Sequence, residues 1–117
     1  LQLEEVKSSV KKTGAICVVD TGYKTLGLGS EIVSQVFESC FSSMKLSPIR
    51  IGMPDHPTPS SRGYIQGLYP DAEKIVRSIS SSLSLPNEKL EAAVKFLKET
   101  SEGLPIDIPD PTFQGPF

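Results

Sequence analysis

Between Ala15 and Met44 the spacing of apolar residues changes period once. Ala15 to Val19 is an unbroken apolar run, which reads as a parallel strand covered on both faces. From Ile32 onward Val33, Val36, Phe37, Cys40, Phe41 and Met44 recur at helical spacing, so a helix presents one apolar face to that strand. Asp20 ends the strand, and Gly22, Gly27 and Gly29 free the intervening turn from Cβ sterics. Strand, glycine-rich turn and amphipathic helix in that order predict an α/β domain.

The remaining chain extends the pattern in both directions. Leu3, Val6 and Val10 place the chain inside an amphipathic helix from Leu1, with a stop at Thr13-Gly14. A start inside a helix, without Met, looks like that of a fragment, so an upstream part is expected. After Ser47-Pro48, Ile49-Arg50-Ile51 alternates as a short strand, and Gly52 to Ser61 is a proline-rich loop. Pro70 suits the first position of a helix striped by Ala72, Ile75, Val76, Ile79 and Leu83. Asn87 to Lys98 forms another, with Leu90, Ala93, Val94 and Leu97 inward. From Thr100 the periodicity stops, dividing the chain into an α/β domain over 1–99 and a proline-rich tail over 100–117. In the tail Leu104, Ile106, Ile108, Phe113 and Phe117 alternate with prolines, too apolar for a solvated linker. It is expected to lie extended over its own domain or a partner, anchored by Phe113 and Phe117.

Composition narrows the partners. A chain of 117 residues is one domain's worth, and a net charge of −2 with scattered basic residues gives no footprint for nucleic acid. Apolar runs fall short of a membrane span and no leader opens the chain, so a soluble, cytoplasmic protein is expected. Cys17, in the strand, and Cys40, on the helix face, read as reduced core thiols.

The candidate chemistry is sparse. Ile32 stands where GxGxxG needs its third glycine, and no Gly-Lys-Ser/Thr follows, which excludes a P-loop. The amides opening the helix could still bind an anion, although Glu31 in the first turn would repel one. His56 beside Asp55 could form an acid-base pair, but no nucleophile or second base accompanies it. One histidine and two distant cysteines do not make a metal site. No catalytic, cofactor-binding or metal-binding residue is therefore assigned. Contact residues are expected where open α/β folds place them, at the carboxyl end of the strands: Tyr23, Lys24, Gly27, Gly29 and Glu31 around the turn. The stiff loop with Asp55, His56, Pro57 and Pro59 joins them, because prolines reduce the ordering cost of docking.

Three segments, KKTGAICVVDTGYKTLGLGSEI, RIGMPDHPTPSS and YPDAEKIVRSI, occur in that order over roughly residues 1–82. They resemble the C-terminal domain of transketolase-like, thiamine-diphosphate-dependent enzymes, above all the beta subunit of 2-oxo acid dehydrogenases of the pyruvate dehydrogenase type. The resemblance implies a three-layer α/β/α fold with a mainly parallel sheet, incomplete at its N-terminus. It also implies a parent enzyme that decarboxylates a 2-oxo acid on thiamine diphosphate and magnesium and passes the acyl group to lipoyl groups. In that family the cofactor is held by the alpha subunit and by the beta subunit's N-terminal domain, so this chain alone should bind none and be inactive. Its implied partners are the alpha subunit, a second beta subunit and the lipoyl acyltransferase core, without nucleic acid or membrane. Asp20-Thr21-Gly22 departs from the family's acidic-acidic-glycine, and Thr25-Leu26-Gly27 from its paired glycines, which leaves the subfamily open. Two alternatives stay beside it. Another transketolase-like enzyme would use this domain to help hold a substrate phosphate, with Lys24 and Arg62 as the available cations. An autonomous anion-binding module would use the amides of Gly27 to Ser30.

Overall fold

A left-handed glycine and two buried valines set the frame of the computed structural model, which describes residues 1–103. Helix α1 (Glu4–Thr13) ends at Gly14, whose φ of 79° places its N–H on the Val10 carbonyl at 2.7 Å. A side chain at Gly14 would also meet the Lys45 stem at 2.7 Å. The chain then enters strand β1 (Cys17–Tyr23), crosses through helix α2 (Leu28–Cys40), and returns as strand β2 (Ile49–Met53) parallel to β1. Helices α3 (Ala72–Ser82) and α4 (Asn87–Ser101) follow. Two short 3-10 turns, Phe41–Ser43 and Arg62–Tyr64, interrupt the connections.

Packing follows the apolar stripes. Leu3 and Val10 of the α1 region meet Val36 and Cys40 of α2 in one buried cluster, flanked by Val6, Ile16, Ile32 and Met44. Helix α2 lies against both strands, α3 touches β2, and α4 packs on α3. Both cysteines are free; Cys40 is buried and Cys17 half-buried, with its thiol pushed up by desolvation.

Several expectations change. Leu1 precedes α1, which opens only at Glu4 with buried Leu3 at its N-cap. Strand β1 continues past Asp20 through an irregularity between Val19 and Tyr23, where the Asp20 carboxylate accepts the Gly22 N–H at 3.0 Å. It is not covered on both faces: α2 packs against β1, but no residue of β1 is fully buried and Val19, Thr21 and Tyr23, which alternate onto one face, are exposed, Val19 by 44%. Strand β2 also runs beyond Ile51, to Met53. Phe37 and Phe41 leave the core as an edge-to-face pair with centroids 5.0 Å apart. The helix stripe that meets α1 and the sheet is centred on Val36 and Cys40, so each next residue turns about 100° away. Pro70 precedes α3 rather than opening it. Asp71 is the N-cap, and its carboxylate accepts the Lys74 N–H at 2.7 Å. Leu83 falls at the C-cap and is half exposed, while α4 runs to Ser101, past the expected stop. Phe113 and Phe117 lie outside the described residues.

Candidate functional site

The carboxyl ends of β1 and β2 and the start of α2 converge because three backbones approach closely. The Lys24 N–H reaches the Met53 carbonyl at 2.9 Å, which extends the ladder past Tyr23. At Gly52 a Cβ would lie 2.9 Å from the Gly22 carbonyl oxygen and 3.0 Å from the Lys24 nitrogen. Only glycine lets β2 run this close beside the irregular end of β1. At Gly27, the N-cap of α2, a Cβ would sit 2.0 Å from the Tyr23 carbonyl oxygen. At Gly29 it would meet Val18 Cγ1 at 3.3 Å, so the first turn of α2 rests on β1.

Polar groups then lock the turn. The Ser30 N–H bonds the Gly27 carbonyl at 2.9 Å, and the Ser30 hydroxyl donates to the Lys24 carbonyl at 3.0 Å. Arg50 Nη1 donates to that same carbonyl at 3.1 Å and to the Ser30 hydroxyl oxygen. Thr25 Oγ1 donates to Asp55 Oδ2 at 2.5 Å, tying the turn to the loop that follows β2. Between the fastened points stands Leu26, in the left-handed region at φ 56° and 96% exposed.

Of the candidate residues, Tyr23, Lys24, Gly27, Gly29 and Glu31 share this turn, and Asp55 is joined to it through Thr25. His56, Pro57 and Pro59 lie further along the same loop; His56 Nδ1 is 3.1 Å from the Pro57 carbonyl oxygen, and among the described residues no side-chain hydrogen bond joins it to Asp55. Glu31 is exposed and accepts from Gln35 Nε2 at 2.6 Å. Thr25, Leu26, Arg50 and Gly52 were not among the candidates, and Ser30 entered only through its amide in the anion-binding alternative. Arg50 could have been found from its place between Ile49 and Ile51, where strand alternation sends it to the other face. Thr25 and Leu26 carry no such signal, since their roles depend on a partner far along the chain and on a backbone angle.

At this turn the Ser30 amide and hydroxyl and Arg50 Nη1 are engaged, and Glu31 places a carboxylate in the first helical turn. Among the described residues no three His, Cys, Asp or Glu side chains gather as metal ligands. No helix among them is long and apolar enough to cross a membrane.

A parallel strand–helix–strand unit with a glycine-built turn at its carboxyl end defines an α/β domain of the kind whose surfaces there meet ligands or partners. Residues 1–75 match the family model for the transketolase C-terminal domain, and the chain belongs to that family. It is 34% identical over 83 residues, 70% of the chain, to the mitochondrial pyruvate dehydrogenase E1 component subunit beta of Caenorhabditis elegans, covering 24% of that protein. Against the Saccharomyces cerevisiae protein of the same name it is 34% identical over 86 residues, 73% of the chain and again 24% of the relative. The Porphyra purpurea subunit beta is 27% identical over 81 residues, 69% of the chain and 24% of that protein. The chain thus spans about a quarter of the length of these relatives. No solved structure gives a significant match.

Proposed function

We propose that this chain serves as an assembly and docking domain of the beta subunit of a thiamine-diphosphate-dependent 2-oxo acid dehydrogenase, supplying no catalytic group itself. The observation that carries this reading is the Thr25–Asp55 bond, which holds two loops together next to exposed Leu26. A pre-ordered, partly apolar surface loses less entropy on docking than loose loops would. The internal bonding of the turn supports assembly over anion capture, because the Ser30 hydroxyl and Arg50 Nη1 are already bonded within it. In this proposal the α/β part over 1–99 and the tail over 100–117 face the alpha subunit, a second beta subunit and the lipoyl acyltransferase core. Thiamine diphosphate and magnesium belong to other parts of the enzyme, and the acyl group goes to lipoyl groups.

The cytoplasmic location expected from composition belongs to the proposal, to be read against relatives whose names include mitochondrial. Cell fractionation with an antibody to the chain decides between the two compartments. The functional test is co-purification: the chain, tagged, should retain the cognate alpha subunit and acyltransferase. It should give no thiamine-diphosphate heat by calorimetry with magnesium present. Micromolar cofactor binding by the chain alone, or failure to retain either subunit, would overturn the reading.

A further inference from the structure

Helix α4 lies outside residues 1–75 that match the family model, and it is fastened to α3 by its inner face. Val94 is buried there, Glu91 accepts from Arg77 at 3.3 Å, and Lys98 lies 3.6 Å from Glu73. The outer face carries Lys89, Ala92, Phe96 and Glu99, all exposed, at the alternating three- and four-residue spacing of a helix–helix seam. Phe96 is 66% exposed. Beside this seam α3 and α4 leave an apolar pocket of about 150 Å³, lined by Val76, Ile79, Leu85, Leu90 and Ala93 with Lys89 at its edge. An aromatic knob and an apolar hole on one face are what a two-fold pair of identical surfaces needs, since each copy must offer both.

The spacing and the charges select one arrangement. With a second α4 antiparallel about a two-fold axis at the level of Val94, Phe96 of each copy falls opposite Ala92 of the other, and Lys89 falls opposite Glu99. Small Ala92 and Ala93 leave room for the ring beside the pocket. Opposite charges then meet at both ends of the seam, and the ion pair that Glu99 makes in the single chain, with Lys95 at 3.9 Å, is solvent-facing and worth little. A parallel pair would instead set Lys89 against Lys89.

We propose that this face is an interface between two copies of the chain, in which the α4 helices pair antiparallel and each Phe96 seats at the mouth of the other copy's α3–α4 pocket. One helix pair buries less than the roughly 1,200 Å² of a standard interface, so the dimer is weak, dissociating at about 10 to 100 μM. It uses neither the turn at Gly27 nor the loop at Asp55, and stands apart from the docking function.

Sedimentation equilibrium of the 117-residue chain in reductant, from about 5 to 500 μM, should show monomer and dimer in exchange. Phe96→Glu should weaken the dimer by at least about tenfold, and should leave the unfolding midpoint of the dilute chain unchanged because the ring is exposed there. Lys89→Glu and Glu99→Lys should each weaken it by about fivefold. An equimolar mixture of those two variants should regain the parent's affinity, since the mixed pair restores opposite charges at both ends of the seam. A chain that stays monomeric throughout would overturn the proposal. So would a dimer indifferent to Phe96→Glu, or charge variants that mixing does not rescue, because the contact then lies elsewhere. Dimers that form only once the chain is cut after Gly103 would overturn it as well, assigning the pocket to the chain's own continuation.

Discussion

Thr25 donates its hydroxyl proton to the carboxylate of Asp55 at 2.5 Å, across a sequence separation of 30. Both residues are exposed, so the bond contributes little to global stability, well under the ~1 kcal/mol typical of a buried one. What it does is order two loops before anything binds them. Asp55→Ala should therefore leave the unfolding midpoint nearly unchanged while weakening capture of the alpha subunit or acyltransferase by about five- to tenfold, the cost of ordering a loop at the interface at ~1 kcal/mol. Titration calorimetry on the purified subunits reads the difference, and equal affinities would remove the loops from the interface.

The glycines of the turn should separate by what their missing side chains would strike. At Gly52 the obstacles are backbone atoms of Gly22 and Lys24 at 2.9 to 3.1 Å, which cannot yield without moving β1. Gly52→Ala should cost about 2 to 4 kcal/mol. Gly29→Val meets one methyl of Val18 at 3.3 Å, which gives more readily, and should cost about 1 to 3 kcal/mol. Denaturant midpoints of both variants check the order; a tolerated Gly52→Ala would mean that the strands diverge at their carboxyl ends.

The α/β order and the place of the turn were legible from the sequence because strand and helix periods differ so clearly around Gly27. What was not legible depends on geometry far along the chain. Helical spacing alone assigns Phe37 and Phe41 to the same face as Val36 and Cys40, and only packing against α1 selects one stripe over the other. Likewise β1 reads as a doubly covered strand from its apolar run, yet Val19 is 44% exposed because the packing of other elements on each face, not composition, decides coverage. Arg50 and Thr25 escaped notice for a related reason: their partners, Lys24 with Ser30 and Asp55, are brought near only by the crossover.

The same selection predicts a contrast between α2 and the 3-10 turn that follows it. Val36 is fully buried between the sheet and α1, so Val36→Ala should destabilise by about 2 to 3 kcal/mol through lost burial and the cavity left behind. Phe41→Ser, at a position 67% exposed, should cost under about 1 kcal/mol even though it removes the larger side chain and its pairing with Phe37. Thermal unfolding of the two variants checks this, and reversal of their order would mean that the aromatic pair is covered in solution.

Glu73 accepts from Arg77 at 2.9 Å and lies 3.6 Å from Lys98, so the pair of cations holds its carboxyl below the usual range, the Arg77 hydrogen bond contributing most. A carboxyl depressed in the folded state stabilises above its unfolded pKa, and that stabilisation is lost as pH falls through the lower folded value. Glu73→Gln should accordingly lower the unfolding midpoint modestly at pH 7, with the gap to the parent closing in acid. The gap should also shrink in 1 M salt, since these groups are solvent-facing. A gap independent of both pH and salt would assign the effect to packing instead.

Leu26 predicts opposite signs for stability and binding. A leucine at φ 56° carries a steric cost of roughly 1 to 2 kcal/mol that glycine does not, and glycine returns about 0.5 to 1 of it as unfolded-chain entropy. Leu26→Gly should thus hold the unfolding midpoint or raise stability by up to about 1 kcal/mol. Its side chain is 96% exposed in the free chain, so it is available to a partner that covers it. Burial of a leucine is worth about 1.5 to 3 kcal/mol, and the glycine variant should lose roughly ten- to a hundredfold in affinity for the partner that covers it. Binding assays against the alpha subunit and the acyltransferase separately identify which one. Unchanged affinity for both, together with the gain in stability, would show that Leu26 is not a contact.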